Sequence, residues 1–126
     1  MAANQGMVER RKHKRYQAQD GAIAAFRNHA IKVGQIMDIS LGGLSFQYID
    51  EGEQPKKSFD LDIFLTENVF RIESVPAQTI SDFEIVSEVP YSSVKIRRHG
   101  AEFGELTQKQ VSQLHYFFQN HTTGEA

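Results

Sequence analysis

Cysteine is absent from the 126-residue chain. Disulfides, thiolate zinc sites and cysteine nucleophiles are thereby excluded, and the absence fits a reducing compartment. No apolar run approaches the roughly 20 residues that span a bilayer. The opening MAANQGMVERRKHKR has no apolar stretch of the kind a secretory signal needs. The expectation is a cytoplasmic protein without membrane insertion. Catalytic signatures are missing too: there is no GxSxG elbow, Walker loop, GxGxxG or HExxH. None of His13, His29, His99, His115 and His121 pairs with another at a ligand spacing. Ser40 lies near Asp38, but the sequence places no base beside it. The chain reads as a non-enzyme with no metal and no cofactor, and a hydrolase is a distant alternative.

What is present is a soluble composition, 40% hydrophobic and 24% charged, with enough length for one core. The net charge of −2 conceals a division. Arg10, Arg11, Lys12, Lys14 and Arg15 crowd five positive charges into six residues. Without them, nine basic residues face 16 acidic ones, a balance of −7. A basic arm on an acidic body points to a local anion site rather than to a long nucleic acid.

Residues 1–9 are polar and aperiodic, and residues 10–19 suit an exposed arm. Short alternating runs follow. Ala22 to Phe26 and Ile31 to Ile39 read as strands, Ser40-Leu41-Gly42-Gly43 as a tight bend, and Leu44 to Ile49 and Phe59 to Leu65 as further strands. Val69–Ile72 and Ala77–Ile80 read as strands, with Pro76 arguing for an edge, a bulge or a break between them. Ser92–Arg98 is another, resumed at Ala101 after a bend at Gly100. Phe83 to Val89 is ambiguous. Thr107 with Gln110 makes a capping box, and Val111, Leu114, Phe117 and Phe118 share one face of the helix that it starts. The class is all-β: a small antiparallel six- or seven-stranded barrel with a C-terminal helix.

Two segments carry binding chemistry. Asp38 and Ser40, two apart at a strand end, project to one face. Gly42 and Gly43 can adopt positive φ and let a ligand approach the backbone; an ordinary polar hairpin explains the same residues. In the arm, arginine occupies positions 10, 11 and 15. Guanidinium binds phosphate bidentately, pairs with the O6/N7 edge of guanine and stacks on bases. A plain solvated charge run is the rival reading.

Arg11-Lys12-His13-Lys14-Arg15 is an RxxxR, and Asp38-Ile39-Ser40-Leu41-Gly42-Gly43 a (D/N)xSxxG. In that order, this pair resembles the PilZ domain, a bacterial receptor module for cyclic di-GMP. Gly100-Ala101-Glu102-Phe103 is similar to the family's GxxF strand, and the likeness covers about residues 8–120. The resemblance implies a flexible arm at 1–19, a PilZ-type barrel with its helix at 20–120 and a frayed tail at 121–126. It further implies that the ligand lies outside the barrel, with the arm wrapped over it. Arg11 and Arg15 would take guanine edges and phosphates, Asp38 a guanine N1/N2 edge, and Ser40 a phosphate or guanine, while Gly43 gives the close turn. Arg10 goes with an intercalated ligand dimer. Gly42 and Arg98 are secondary candidates. The signal would pass to a downstream protein. Two alternatives stay open: a small barrel that binds RNA or single-stranded DNA, and a non-binding protein-interaction module.

Overall fold

The strands form where apolar residues recur every second position. Ala22, Ala24 and Phe26 are buried in one strand, as are Leu44, Phe46 and Tyr48 in another, and their sequence neighbours lie nearer solvent. The computed structural model, which describes residues 12–27, 33–52, 56–85 and 93–126, has eight strands and one helix among them. They are β1 (Tyr16–Ala18), β2 (Ala22–Phe26), β3 (Val33–Ile39), β4 (Gly43–Ile49), β5 (Ser58–Leu65), β6 (Arg71–Ile85), β7 (Ile96–Phe103), α1 (Gln108–Asn120) and β8 (Thr122–Glu125). All the strand pairings are antiparallel.

Six strands in the order β2-β5-β6-β7-β4-β3 close into a barrel through the β2–β3 pairing, with β1 and β8 attached beyond β3. Closure leaves the ring without a free edge. The all-β barrel with a C-terminal helix is therefore the observed architecture. Phe26 packs edge-on against Phe46 and Phe59 in the core. No helix among the described residues is long and apolar enough to cross a membrane.

Several local expectations change. Of the edge, bulge or break expected at Pro76, the break is absent: β6 runs unbroken from Arg71 to Ile85. The irregularity lies instead at Ser74, a non-glycine residue with φ of 54°. It spaces the buried Ile72 and Val75 three apart, so one extra residue is absorbed there. Proline's fixed φ suits extended backbone, and the Pro76 carbonyl accepts from Gly104 N–H at 2.8 Å. Gly100 is not a bend but a position within β7. A Cβ there would stand 2.5 Å from Ser81 Oγ and 3.4 Å from Ile80. The missing side chain makes room for the β6 register shift between Thr79 and Ser81. The segment 86–92 lies outside the described residues, as does most of the ambiguous stretch after Ile85.

The capping box is present at Thr107 and Gln110, and α1 buries Gln110, Leu114, Phe117 and Phe118. The Gln110 amide also donates to the carbonyls of Glu73 and Ser74 at 2.9 and 3.2 Å, fastening the helix to the β6 irregularity. The end of the expected arm and the expected frayed tail instead meet as β1 and β8, paired Tyr16↔Glu125, Gln17↔Gly124 and Ala18↔Thr122. Neither segment has an apolar period, so alternation gave no strand signal at either end. Backbone bonding between the two segments makes these strands.

Candidate functional site

The short strand β1 brings the two sequence motifs together. It pairs with β3 as Tyr16↔Ile39 and Gln17↔Asp38. Arg15 immediately precedes this strand, at the end where Tyr16 pairs with Ile39. Alternation turns Gln17 to the side of Asp38 and Tyr16 to the opposite side, where its ring stacks on Phe118 at 4.6 Å. Arg15 is exposed. Arg10 and Arg11 lie outside the described residues. His13 reaches the bend itself: its Cδ2 lies 2.9 Å from where a Gly42 Cβ would stand.

The bend is held from within. Ser40 N–H donates to the Gly43 carbonyl at 2.8 Å, and Ser40 Oγ accepts from Gly42 N–H at 3.0 Å. Ser40 is buried, so its hydroxyl shapes the turn before it can serve a ligand. Neither Gly42 nor Gly43 is among the positive-φ glycines, which are Gly21, Gly52 and Gly124. The reason for glycine at 43 is closeness: a Cβ would overlap the Ala101 carbonyl oxygen of β7. Phe103 N–H then bonds the Gly42 carbonyl at 2.8 Å, locking the bend to β7.

Asp38 and Ser45 are register partners on the outer face. Arg98 of β7 reaches both, at 3.1 Å to Asp38 Oδ2 and 3.1 Å to Ser45 Oγ. Its side chain remains 34% exposed and that of Asp38 16%, so a ligand over this face meets a carboxylate and a guanidinium together. Phe83 of β6 sits opposite Arg98 in register and is 52% exposed, a flat ring on the same face.

Of Arg97, Arg98 and His99 only Arg98 faces outward, because successive residues of a strand face opposite ways. Arg97 and His99 turn inward. Arg97 binds Asp82 and approaches Asp50 at 3.7 Å. The Tyr48 hydroxyl donates to Asp82 at 2.6 Å, and burial, then the Asp82 carboxylate, pushes the Tyr48 hydroxyl pKa well above its ordinary value. His99 is fully buried against Phe26, Phe46 and Phe59. Its Nε2 lies 2.9 Å from Thr79 Oγ1, which donates its proton to the Lys56 carbonyl at 3.0 Å. The histidine must therefore donate from Nε2, leaving Nδ1 unprotonated. Burial lowers its pKa from 6.5 to about 4, against the opposing pull of Asp82.

A search of solved structures matches the PilZ domain of YcgR from Escherichia coli, in a structure with c-di-GMP. The TM-score is 0.69 over 90% of this chain and 92% of that one, at 16% sequence identity. The chain has the PilZ fold. No protein-family model matches the sequence, nor does any curated protein. Among the expected site residues, Asp38, Ser40, Gly42 and Gly43 lie at or beside one bend, Arg98 reaches Asp38, and Arg15 precedes the strand that pairs with Asp38 and Ile39. Sequence reasoning did not single out Ser45 or His13. Period two along β4 is the signal that would have added Ser45, two residues past Gly43 on the same face.

Proposed function

We propose that this protein is a non-catalytic receptor for cyclic di-GMP, bound on the outer face beside the Ser40–Gly43 bend. The observation that carries the reading is the β1–β3 register, which pairs Gln17 with Asp38 and so brings the strand that follows Arg15 against the (D/N)xSxxG segment. The fold likeness to a domain solved with c-di-GMP supports it. In this reading Arg11 and Arg15 grip phosphates and guanine edges, and Arg10 favours a stacked ligand dimer. Asp38 accepts from guanine N1 and N2, which an acceptor-only carboxylate does well. Arg98 neutralises the carboxylate until the base arrives and then offers its guanidinium to the ligand. The bound arm forms a new surface for a downstream protein in the bacterial cytoplasm.

Isothermal titration with cyclic di-GMP, with GMP and a single-stranded RNA as controls, tests this reading. Saturable binding is expected, with one or two ligand molecules per chain. Arg15→Ala and Asp38→Ala should each weaken it by tenfold or more, since a charge-assisted bond contributes about 1.5–3 kcal/mol. No heat with cyclic di-GMP at low salt, or equal affinity in Arg15→Ala, would overturn it. Steeply salt-dependent RNA binding without guanine selectivity would favour the nucleic-acid reading.

A further inference from the structure

The base of the arginine arm is fastened on two sides, and only one of them is the ligand site. On the β3 side, β1 makes two register pairs. On the other side it makes three with β8, flanked by two more backbone bonds. Ala126 N–H donates to the Arg15 carbonyl, and Gln19 N–H to the His121 carbonyl, both at 3.0 Å. Side chains add to this. Lys14 lies 3.8 Å from Glu125 and 5.5 Å from the centre of the Tyr16 ring. Tyr16 stacks nearly parallel on Phe118 of α1, 15° between planes. Thr122 Oγ1 donates to the Phe118 carbonyl at 2.7 Å, tying the start of β8 to the same helix turn.

A three-residue strand bonded on one edge only would be marginal, because fixing each residue costs backbone entropy and few bonds offset it. The second edge therefore determines whether Arg15 starts from a fixed point. Resting on the receptor reading above, we propose that β8 and the Tyr16–Phe118 stack are the positioning element for Arg15, and that they couple the ligand site to the C-terminal strand. Neither touches the ligand. They raise the fraction of chains whose Arg15 already starts from an ordered β1, and apparent affinity scales with that fraction. Linkage makes the effect mutual: ligand on the arm must hold β8 more firmly, and anything that peels β8 away must weaken the ligand. Within the described sheet, β8 is the terminal strand, so its outer backbone edge is the part of this device a partner could reach.

The test combines hydrogen exchange with titration on the full chain, a deletion of residues 122–126, Tyr16→Ala and Tyr16→Phe. Without ligand, the deletion should speed amide exchange at residues 16–18 while β4 and β7 amides stay as protected as before. With cyclic di-GMP, the deletion and Tyr16→Ala should each raise Kd about tenfold, as a tenfold loss of competent chains would. Tyr16→Phe, which keeps the stack, should bind like the unaltered chain. Saturating ligand should slow exchange in β8 of the unaltered chain. Unchanged exchange at 16–18 after the deletion overturns the positioning role, and so does β8 exchange indifferent to saturating ligand. If the unaltered chain does not bind cyclic di-GMP, the receptor reading fails. The ligand-free exchange comparison then still decides whether β8 fixes the arm.

Discussion

Arg97 and Arg98 are neighbours in β7, yet they belong to different chemistries. Arg97 faces the barrel interior and is held by Asp82 and Asp50, with the Tyr48 hydroxyl on the same carboxylate. Arg98 faces outward, bound to one carboxylate and one hydroxyl, with a third of its side chain in solvent. The inner cluster is closed on itself, so its bonds are spent on holding β4, β6 and β7 together. The outer pair is open on one side, where an incoming group can exchange partners without uncovering a buried charge. Residue type alone does not separate an enclosed structural arginine from one open to solvent; the strand face does.

The inner cluster should break with the larger effect. Asp82→Ala removes the acceptor for Tyr48 and the counter-charge for Arg97 at once. The bond from Tyr48 to a carboxylate alone accounts for about 2 kcal/mol of stability. Urea denaturation should show a lower midpoint, while the affinity of the folded fraction for cyclic di-GMP stays within about twofold because nothing on the outer face has changed. A stability equal to that of the unaltered chain would mean that the inner cluster only fills space.

A second, intermediate effect is set by pH. His99 is neutral when folded, with its pKa lowered to about 4, and ionises near 6.5 when the chain unfolds. Between those values the unfolded state binds the extra proton, so stability is complete above pH 6.5 and falls as pH drops toward 4. Over that interval the slope approaches about 1.4 kcal/mol per pH unit from this one group. Ring resonances of His99 should show no titration from pH 8 down to pH 5. A His99 midpoint near 6.5 would contradict the dry environment assigned to it.

How much of this was legible beforehand depends on which force made each feature. The barrel strands were readable because burial on one face imposes period two, as in Leu44, Phe46 and Tyr48. The helix start was readable because Thr107 and Gln110 satisfy each other locally. Both motifs of the candidate site were readable as residues, but their adjacency was not, since it depends on the β1–β3 register between positions more than twenty apart. β1 and β8 carry no apolar alternation and exist by mutual backbone bonding, which leaves little compositional trace. Asp62 was hidden for another reason. It alternates like a surface residue in sequence, yet the register shift between Leu61 and Ile63 buries it. There Arg27, Arg71 and Ser74 N–H bind it. Desolvation of that carboxyl is outweighed by those donors, and its pKa lies below the usual carboxylate range.

The smallest change in stability, and the sharpest use of the comparison, is expected at Arg98. Its ion pair with Asp38 is partly solvated, so Arg98→Ala should alter stability by less than about 1 kcal/mol. Its effect on the ligand is predicted to be larger than its effect on folding. Without the guanidinium, Asp38 loses the partner that orients its carboxylate, and the outer face loses its positive charge between Ser45 and Phe83. Titration of Arg98→Ala with cyclic di-GMP should give a Kd raised about tenfold, equivalent to about 1.4 kcal/mol. Arg98→Lys should recover only part of it: both bonds leave the one nitrogen Nη2, which an ammonium can replace, but the flat guanidinium face beside it is lost. The pair of variants then separates the two faces in opposite senses: Asp82→Ala lowers stability and spares binding, and Arg98→Ala spares stability and lowers binding. If Arg98→Ala instead binds the ligand more tightly, the Asp38–Arg98 pair is a latch that competes with the guanine edge. Asp38 would then be the primary contact and Arg98 its regulator.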